Sequence, residues 1–331
     1  MPTPTVSVAL CTCNGAAFVA EQVDSILCQS WPVLEIVVHD DASDDDTVAL
    51  VEHTWAKHRT RVEGDVPDLR ITRNPKRLGV ARNFEETLRA CRGDLIALCD
   101  QDDRWDPERL AAVIPRFIDN PDLLMVHGNA TLVDRSGTNP GGTLFQALAI
   151  SETELRLIEE GRGWEALLDR NLVTGATAVL RRSLRDVSLP IPPHWLHDEW
   201  LGMIAALLGG LAVERDPLLA YRQHGANQIG AKRAGPVDLV RRALADRGQW
   251  HTDRMHRAIE LAERARGLSA VLDPRALDAI VEKAVHHSVR AHLPGPRPAR
   301  LLPVWQEWRT GRYRRFGRDL HGVLRDLLQP D

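Results

Sequence analysis

No G-x-G-x-x-G follows the first apolar segment of this 331-residue chain, which disfavours a nicotinamide-dependent dehydrogenase. Its five cysteines, Cys11, Cys13, Cys28, Cys91 and Cys99, form neither a paired framework nor a zinc-finger spacing. A reducing, cytoplasmic setting is therefore expected. The first residues, Met-Pro-Thr-Pro-Thr, lack a basic segment followed by an apolar one, so no signal peptide is expected. No apolar run approaches the ~18 residues of a membrane span. Internal repeats and low-complexity segments are also missing. With 44% hydrophobic residues, the composition argues against wholesale disorder.

What the chain does have is unevenly spread. Residues 1–230 hold 22 Lys/Arg against 34 Asp/Glu, whereas residues 231–331 hold 20 against 12. An acidic front is wrong for nucleic acid and suits a divalent cation; a basic tail suits either a solvated helical face or an anionic surface. The length favours a domain over 1–230 and an appended region over 231–331.

Short apolar runs alternate with helical periodicity through the front region. Val6–Leu10, Leu34–Val38, a segment around Leu69–Ile71 and Leu95–Leu98 read as strands. Phe18–Leu27, Val48–Trp55 and Val80–Leu88 read as helices. This alternation predicts an α/β fold with a mostly parallel sheet, which binds ligands beyond the carboxyl ends of its strands. Two predicted strands end there on acids, His39-Asp40-Asp41 and Asp100-Gln101-Asp102-Asp103. Three carboxylates within four residues repel one another, and a hard divalent cation relieves that repulsion and bridges to diphosphate oxygens. A solvated loop with helix-capping aspartates is the competing explanation, and it applies equally to Asp40–Asp46.

Order and context separate these readings. Ser7-Val8-Ala9-Leu10-Cys11-Thr12-Cys13-Asn14-Gly15, Glu35 to Ser43, Asn74 to Phe84 and Gly93 to Trp105 together resemble the nucleotide-binding half of family 2 glycosyltransferases. The resemblance implies the GT-A fold: a Rossmann-like nucleotide-binding half over 1–108, an acceptor side over 109–230, and here a C-terminal helical extension. It also implies a donor-binding set of Cys11, Thr12, Cys13, Asn14, Asp41, Gly79, Arg82, Asp100, Gln101, Asp102, Gly175 and Arg222. Within that set Thr12 and Asp41 would meet the base, and Arg82 the nucleotide or its phosphates. Asp102, Asp103 and His224 would hold Mg2+ or Mn2+, with Asp102 also placed to meet the ribose. Cys13 departs from the family's usual tyrosine and removes a surface that stacks on the base.

Further along, Asn171 to Ala176 resembles the strand lining the donor sugar. His197-Asp198-Glu199-Trp200 resembles the His-Asp-x-Trp segment of rhamnosyltransferase-like members. A carboxylate there suits a general base that deprotonates the acceptor hydroxyl, with Asp198 first and Glu199 second. The acids could instead simply favour the start of a helix. The implied activity is an inverting transfer from a dTDP-rhamnose-like or UDP-sugar donor to a carbohydrate or lipid-linked acceptor, in cell-surface polysaccharide or glycoconjugate synthesis. A sugar nucleotidyltransferase is the alternative, although Cys11–Phe18 hold one glycine and no basic residue. A non-catalytic nucleotide-sugar binder is another.

From about residue 236 only helical periodicity remains. Met255, Ala258, Ile259 and Ala262 make one stripe, and Leu277, Ile280, Val281 and Ala284 another. Tyr313, Phe316, Leu320, Val323 and Leu327 are expected on one helix face. Trp305 and Trp308 beside Arg309, Arg312 and Arg315 resemble an interfacial helix at the inner face of the plasma membrane, with packing on the front domain as the competing role. Homo-oligomerisation is left open.

Overall fold

The computed structural model describes residues 3–61, 64–223, 247–317 and 319–329. The chain forms two compact units, one of Met1–Ile191 with Trp195–Ala231, the other of Pro192–His194 with Lys232–Asp331. The expected metal ligand His224 lies outside the described residues.

The first unit is built on an eight-stranded mixed sheet of order β3-β2-β1-β4-β7-β6-β8-β5. Strands β1 (Val6–Thr12), β2 (Glu35–Asp40), β3 (Asp68–Arg73) and β4 (Leu95–Cys99) are parallel. The remaining strands are β5 (Arg104–Trp105), β6 (Met125–Val133), β7 (Val179–Arg181) and β8 (Leu211–Arg222), with β7 antiparallel to both β4 and β6. Central strands of this kind are covered on both faces, which is why β1 and β4 read as unbroken apolar runs and their side chains are almost all buried.

Register decides where the chemistry goes. Thr12 of β1 lies opposite Asp40 of β2, and Leu10 of β1 opposite Cys99 of β4. The three strands therefore end together, delivering Cys13, Asp41 and Asp100 to one sheet edge with β1 in the middle. Behind them, α1 (Val19–Leu27) buries Val19, Gln22, Val23 and Ile26. Helix α2 (Thr47–Arg59) starts where the carboxylate of Asp45 accepts the backbone N–H and the hydroxyl of Thr47. Helix α3 (Val80–Ala90) starts after Gly79, whose φ of 83° suits glycine. Helix α4 (Arg109–Asp119) comes next, followed by α5 (Leu144–Ala147), α6 (Glu152–Glu159), α7 (Gly163–Asp169), α8 (Arg182–Ser188) and α9 (His197–Leu207).

The stretch Asn171–Ala176 is not the strand that the family resemblance implied. It turns through a 3-10 segment, Gly175–Thr177, and the strand begins only at Val179. Local side-chain bonds favour the turn: Asn171 bonds the Val173 backbone in both directions, and the Thr177 hydroxyl donates to Thr174 O.

The second unit contains α10 (Arg247–Gly267), α11 (Pro274–Ala291), α12 (Arg297–Arg309), α13 (Arg312–Phe316) and α14 (Leu320–Leu328). Its core differs from the expected stripes. Ala258, Ala262 and Ile280 are buried, but Ile259 and Val281 are exposed. On α11 the inward positions are instead taken by His286, His287 and Arg290. The final amphipathic run is broken after Phe316 and Leu320 faces solvent. Glycine sets that break, because a Cβ at Gly322 would collide with the carbonyl of Gly317. An ion pair and hydrogen-bonded polar groups fill the interior: Arg290 donates to both oxygens of Asp326, Tyr313 Oη donates to the same carboxylate at 2.6 Å, and His286 Nδ1 lies 2.7 Å from Glu307.

Candidate active site

Asp100, Gln101, Asp102 and Asp103 follow β4 directly, and their environments differ. Burial first, then the charges of Asp102 and Asp198, push the Asp100 carboxyl up to about 7. Asp103 is buried, and its carboxyl is raised by burial and then by Asp102 and Asp100, against the backbone N–H of Arg222 and the charge of Arg109. Asp103 Oδ1 accepts that N–H at 3.0 Å. Its Oδ2 is buried with no hydrogen-bond partner among the described residues. An orphaned carboxylate oxygen in a cluster of mutually repelling acids fits a hard divalent cation.

Arg222, which the resemblance placed in the donor-binding set, bonds to neighbouring protein groups. Its side chain is buried; Nε donates to Asp102 O at 2.8 Å, and the two terminal nitrogens donate to Arg135 O and to Glu21 Oε2. The residue braces the acidic loop from behind. Gln101 is similarly committed: its Oε1 accepts from Cys13 N at 2.8 Å and its Nε2 donates to Cys13 O at 3.0 Å. This stitch joins the loops after β1 and β4, and it requires Gly15, where a Cβ would overlap the Gln101 side chain.

At the ends of β1 and β2, Thr12 Oγ1 donates to the buried Asp40 at 2.8 Å, and the Cys11 thiol lies 3.1 Å from the Thr87 hydroxyl. Asn14 adopts a left-handed conformation, with its N–H on Ser43 Oγ and its Oδ1 accepting from Asp44 N. Asp41 Oδ1 accepts from Asn74 Nδ2 and Leu78 N, and Oδ2 from Gly79 N. Asp41 therefore holds the loop before α3. Arg82, on the first turn of α3, is well exposed and pairs with Glu85 at 3.1 Å. Cys13 is half-buried, its thiol raised by burial.

Asp198 and Glu199 occupy the first turn of α9, a helix buried nearly all round. Trp200 Nε1 donates to Ser188 O at 2.8 Å and fixes that helix. Asp198 Oδ2 accepts the Gly175 N–H at 3.0 Å, and Oδ1 accepts the Glu199 N–H at 2.8 Å. The 3-10 turn that replaces the expected strand thus orients the carboxylate. Glycine is needed there, since a Cβ at Gly175 would lie 2.7 Å from His197 Nε2 and 3.3 Å from Asp198 Cβ.

Three contributors escaped sequence reasoning. Glu21 on α1 pairs with Arg222 and Arg104. Arg109 is a buried cation stacked 3.9 Å over Trp105, and burial lowers its pKa to about 10. His197 stacks on Phe84 at 3.8 Å. Only His197 carried a signal, its place beside Asp198.

Residues 7–187 match the Glycosyl transferase family 2 domain, more than half of the chain. An uncharacterized glycosyltransferase of Nostoc sp. is 25% identical over 231 residues, covering 67% of this chain and 66% of the relative, so the chain spans about two thirds of that protein's length. Among solved structures, S. aureus TarS 1–349 in complex with UDP-GlcNAc superposes with a TM-score of 0.54 at 20% identity, over 96% of this chain and 81% of TarS 1–349. The mannosyltransferase PcManGT from Pyrobaculum calidifontis, in complex with GDP-Man and Mn2+, gives 0.51 at 18% identity, over 98% and 86%. The mixed sheet with its flanking helices is thus GT-A-like, and it carries a C-terminal helical extension. With the family match running from β1 into α8, this chain belongs to glycosyltransferase family 2.

Proposed function

We propose that the chain transfers a sugar from a nucleoside diphosphate donor to an acceptor hydroxyl by one in-line displacement with inversion at the anomeric carbon. The observation that carries this reading is the buried Oδ2 of Asp103, without a hydrogen-bond partner among the described residues, in the run of acids that follows β4. Asp102 and the open oxygen of Asp103 would hold Mg2+ or Mn2+, and the cation when bound would neutralise the donor's diphosphate. Asp198, oriented by Gly175 and Glu199, takes the proton from the acceptor hydroxyl as that oxygen attacks; the nucleoside diphosphate leaves from the opposite face. Cys13, Asn14, Arg82 and the Asp41-held loop frame the nucleotide side. UDP-GlcNAc in TarS 1–349, and GDP-Man with Mn2+ in the mannosyltransferase, support a nucleotide-sugar donor and a divalent ion. A UDP-sugar or a dTDP-deoxysugar is the donor proposed. Thermal shift with UDP, dTDP and GDP, each with and without Mn2+, tests it: a ligand of the native state must raise its stability. No metal-dependent shift with any nucleotide overturns the reading.

A second reading concerns location and rests on a separate observation. Leu301, Trp305 and Trp308 on α12, with Leu320, Leu324 and Leu328 on α14, are each 48–62% exposed. They sit in a region carrying eight excess positive charges. Among the described residues no helix is long and apolar enough to cross a membrane. Apolar side chains with tryptophans in a basic setting suit the surface of an anionic bilayer. The protein is proposed to act in the cytoplasm, in peripheral contact with the inner leaflet.

A further inference from the structure

Helices α1 and α2 lie against each other, and their C-terminal ends bring three unlike donors together. Asp24 and Cys28 are four residues apart, on one side of α1, with Cys28 as its C-cap. His58 is in the last turn of α2. One carboxylate oxygen, the thiol sulfur and one imidazole nitrogen all lie within 4.8 Å of one another. We infer that Asp24, Cys28 and His58 form a binding site for a zinc-class divalent ion, with water as the fourth ligand.

Four-coordinate zinc sets neighbouring donors roughly 3.3–3.8 Å apart, so rotamer adjustment of three surface side chains suffices to close the site. Mixed sulfur, nitrogen and oxygen donors favour zinc over Mg2+ or Ca2+, which take oxygen alone. Both helices point their partially negative C-terminal ends at the site, and no basic residue stands in the last turn of α1. Of the basic neighbours of His58, Arg59 is drawn over the Trp55 ring, 5.4 Å from its centroid. Asp24 and Cys28 also line an open cavity of about 680 Å3 with Arg104, Trp105 and Leu219, which gives the ion a path in. Burial, then the Asp24 charge, holds the Cys28 proton more tightly than usual. Binding therefore forms a thiolate–metal bond and releases that proton to solvent.

The site would tie α1 to α2, and α1 supports the segment that follows the acidic motif. Glu21 pairs with Arg222 and Arg104, Ser25 Oγ accepts from Trp105 N, and Gln29, just beyond the helix, bonds Asp106 O and Leu110 N. A metal at the end of α1 thus stiffens the scaffold of residues 102–110 without touching the proposed transfer chemistry.

Cobalt titration of the whole chain is the test, because thiolate–Co2+ bonds absorb in the near ultraviolet. The expected result is a charge-transfer band saturating at about one equivalent and abolished by added Zn2+. Cys28→Ser removes the band, and His58→Gln and Asp24→Asn weaken binding about tenfold or more. Zn2+ raises Tm of the parent and not of Cys28→Ser. Asp102→Asn keeps the band, so the site stands or falls independently of the transferase reading. No band in the parent, a band surviving Cys28→Ser, or its loss in Asp102→Asn overturns the assignment.

Discussion

The backbone N–H of Gly175 donates to Asp198 Oδ2 at 3.0 Å while the N–H of Glu199 donates to Oδ1, so one hydrogen bond on each oxygen fixes the carboxylate plane. An asparagine keeps the shape but cannot take a proton. Asp198→Asn is expected to lower kcat by about 10²–10⁴-fold with little change in donor affinity, as for an interaction made in the transition state. Glu199→Gln should do less. Gly175→Ala should mimic Asp198→Asn in part, by displacing His197 and Asp198. NMR of the product's anomeric configuration checks the stereochemistry; retention excludes a single displacement, and a fully active Asp198→Asn enzyme moves the base elsewhere.

The acidic loop separates ligand from support. Asp102→Asn is expected to abolish Mn2+-dependent nucleotide binding by calorimetry while leaving Tm within a few degrees of the parent. Asp103→Asn should lose metal binding and stability together. After Cys99, Asp103 is the group whose charge acts on the buried Arg109, so its removal takes away part of what opposes that cation. Equal metal-dependent affinity in both variants and the parent sinks the assignment of the pair.

Much of this arrangement was legible before any coordinates because parallel strands write themselves as apolar runs. Val6–Leu10 and Leu95–Leu98 announced β1 and β4, and the acids after them marked the sheet edge. The sequence could not distribute hydrogen bonds among those acids and their neighbours. Asp41, Gln101 and Arg222 look like ligand contacts in one dimension, and their bracing bonds were hidden because the partners lie 33 to 201 positions away. The donors Asp24, Cys28 and His58 were equally hidden, their spacing set by helix packing and not by a motif. In the second unit, periodicity failed where charged pairs took the core positions that apolar stripes normally fill.

Those buried pairs predict acid lability. Burial alone would raise the Glu307 carboxyl, but bonds from Arg312 and then His286 outweigh it and bring it down to about 2. In Asp326 burial is likewise outweighed by Arg290 and Tyr313, and burial lowers His286. A depressed carboxylate contributes stability above its unfolded value of 4.5, and this is lost as pH falls toward 2. A depressed histidine adds a loss in the same direction, because below 6.5 the unfolded chain takes the proton first. Hydrogen exchange over residues 274–329 should therefore be slow at pH 7 and, after correction for intrinsic rates, should lose protection below about pH 6, most steeply below 4.5. Glu307→Gln should flatten that profile and lower protection at pH 7. An unchanged profile in the variant removes Glu307 as the cause.

The exposed apolar side chains of α12 and α14 give the last prediction. Six large side chains at about half exposure, three of them one helical turn apart at Leu320, Leu324 and Leu328, are costly to leave in water. Arg309 lies over the Trp305 ring, 4.8 Å from its centroid, so a cation and an indole share one surface, as at a lipid headgroup boundary. Burying this face in a bilayer gains apolar contact, and the excess positive charge adds attraction only where the lipid is anionic. The whole chain should therefore sediment with phosphatidylserine-containing vesicles and not with phosphatidylcholine alone, and salt at ~0.5 M should weaken the binding. Trp305→Ser with Leu324→Ser should cut it about tenfold or more without altering nucleotide binding. Self-association in place of sedimentation, read by light scattering and lost in the same double variant, would assign the face to a second copy of the chain instead.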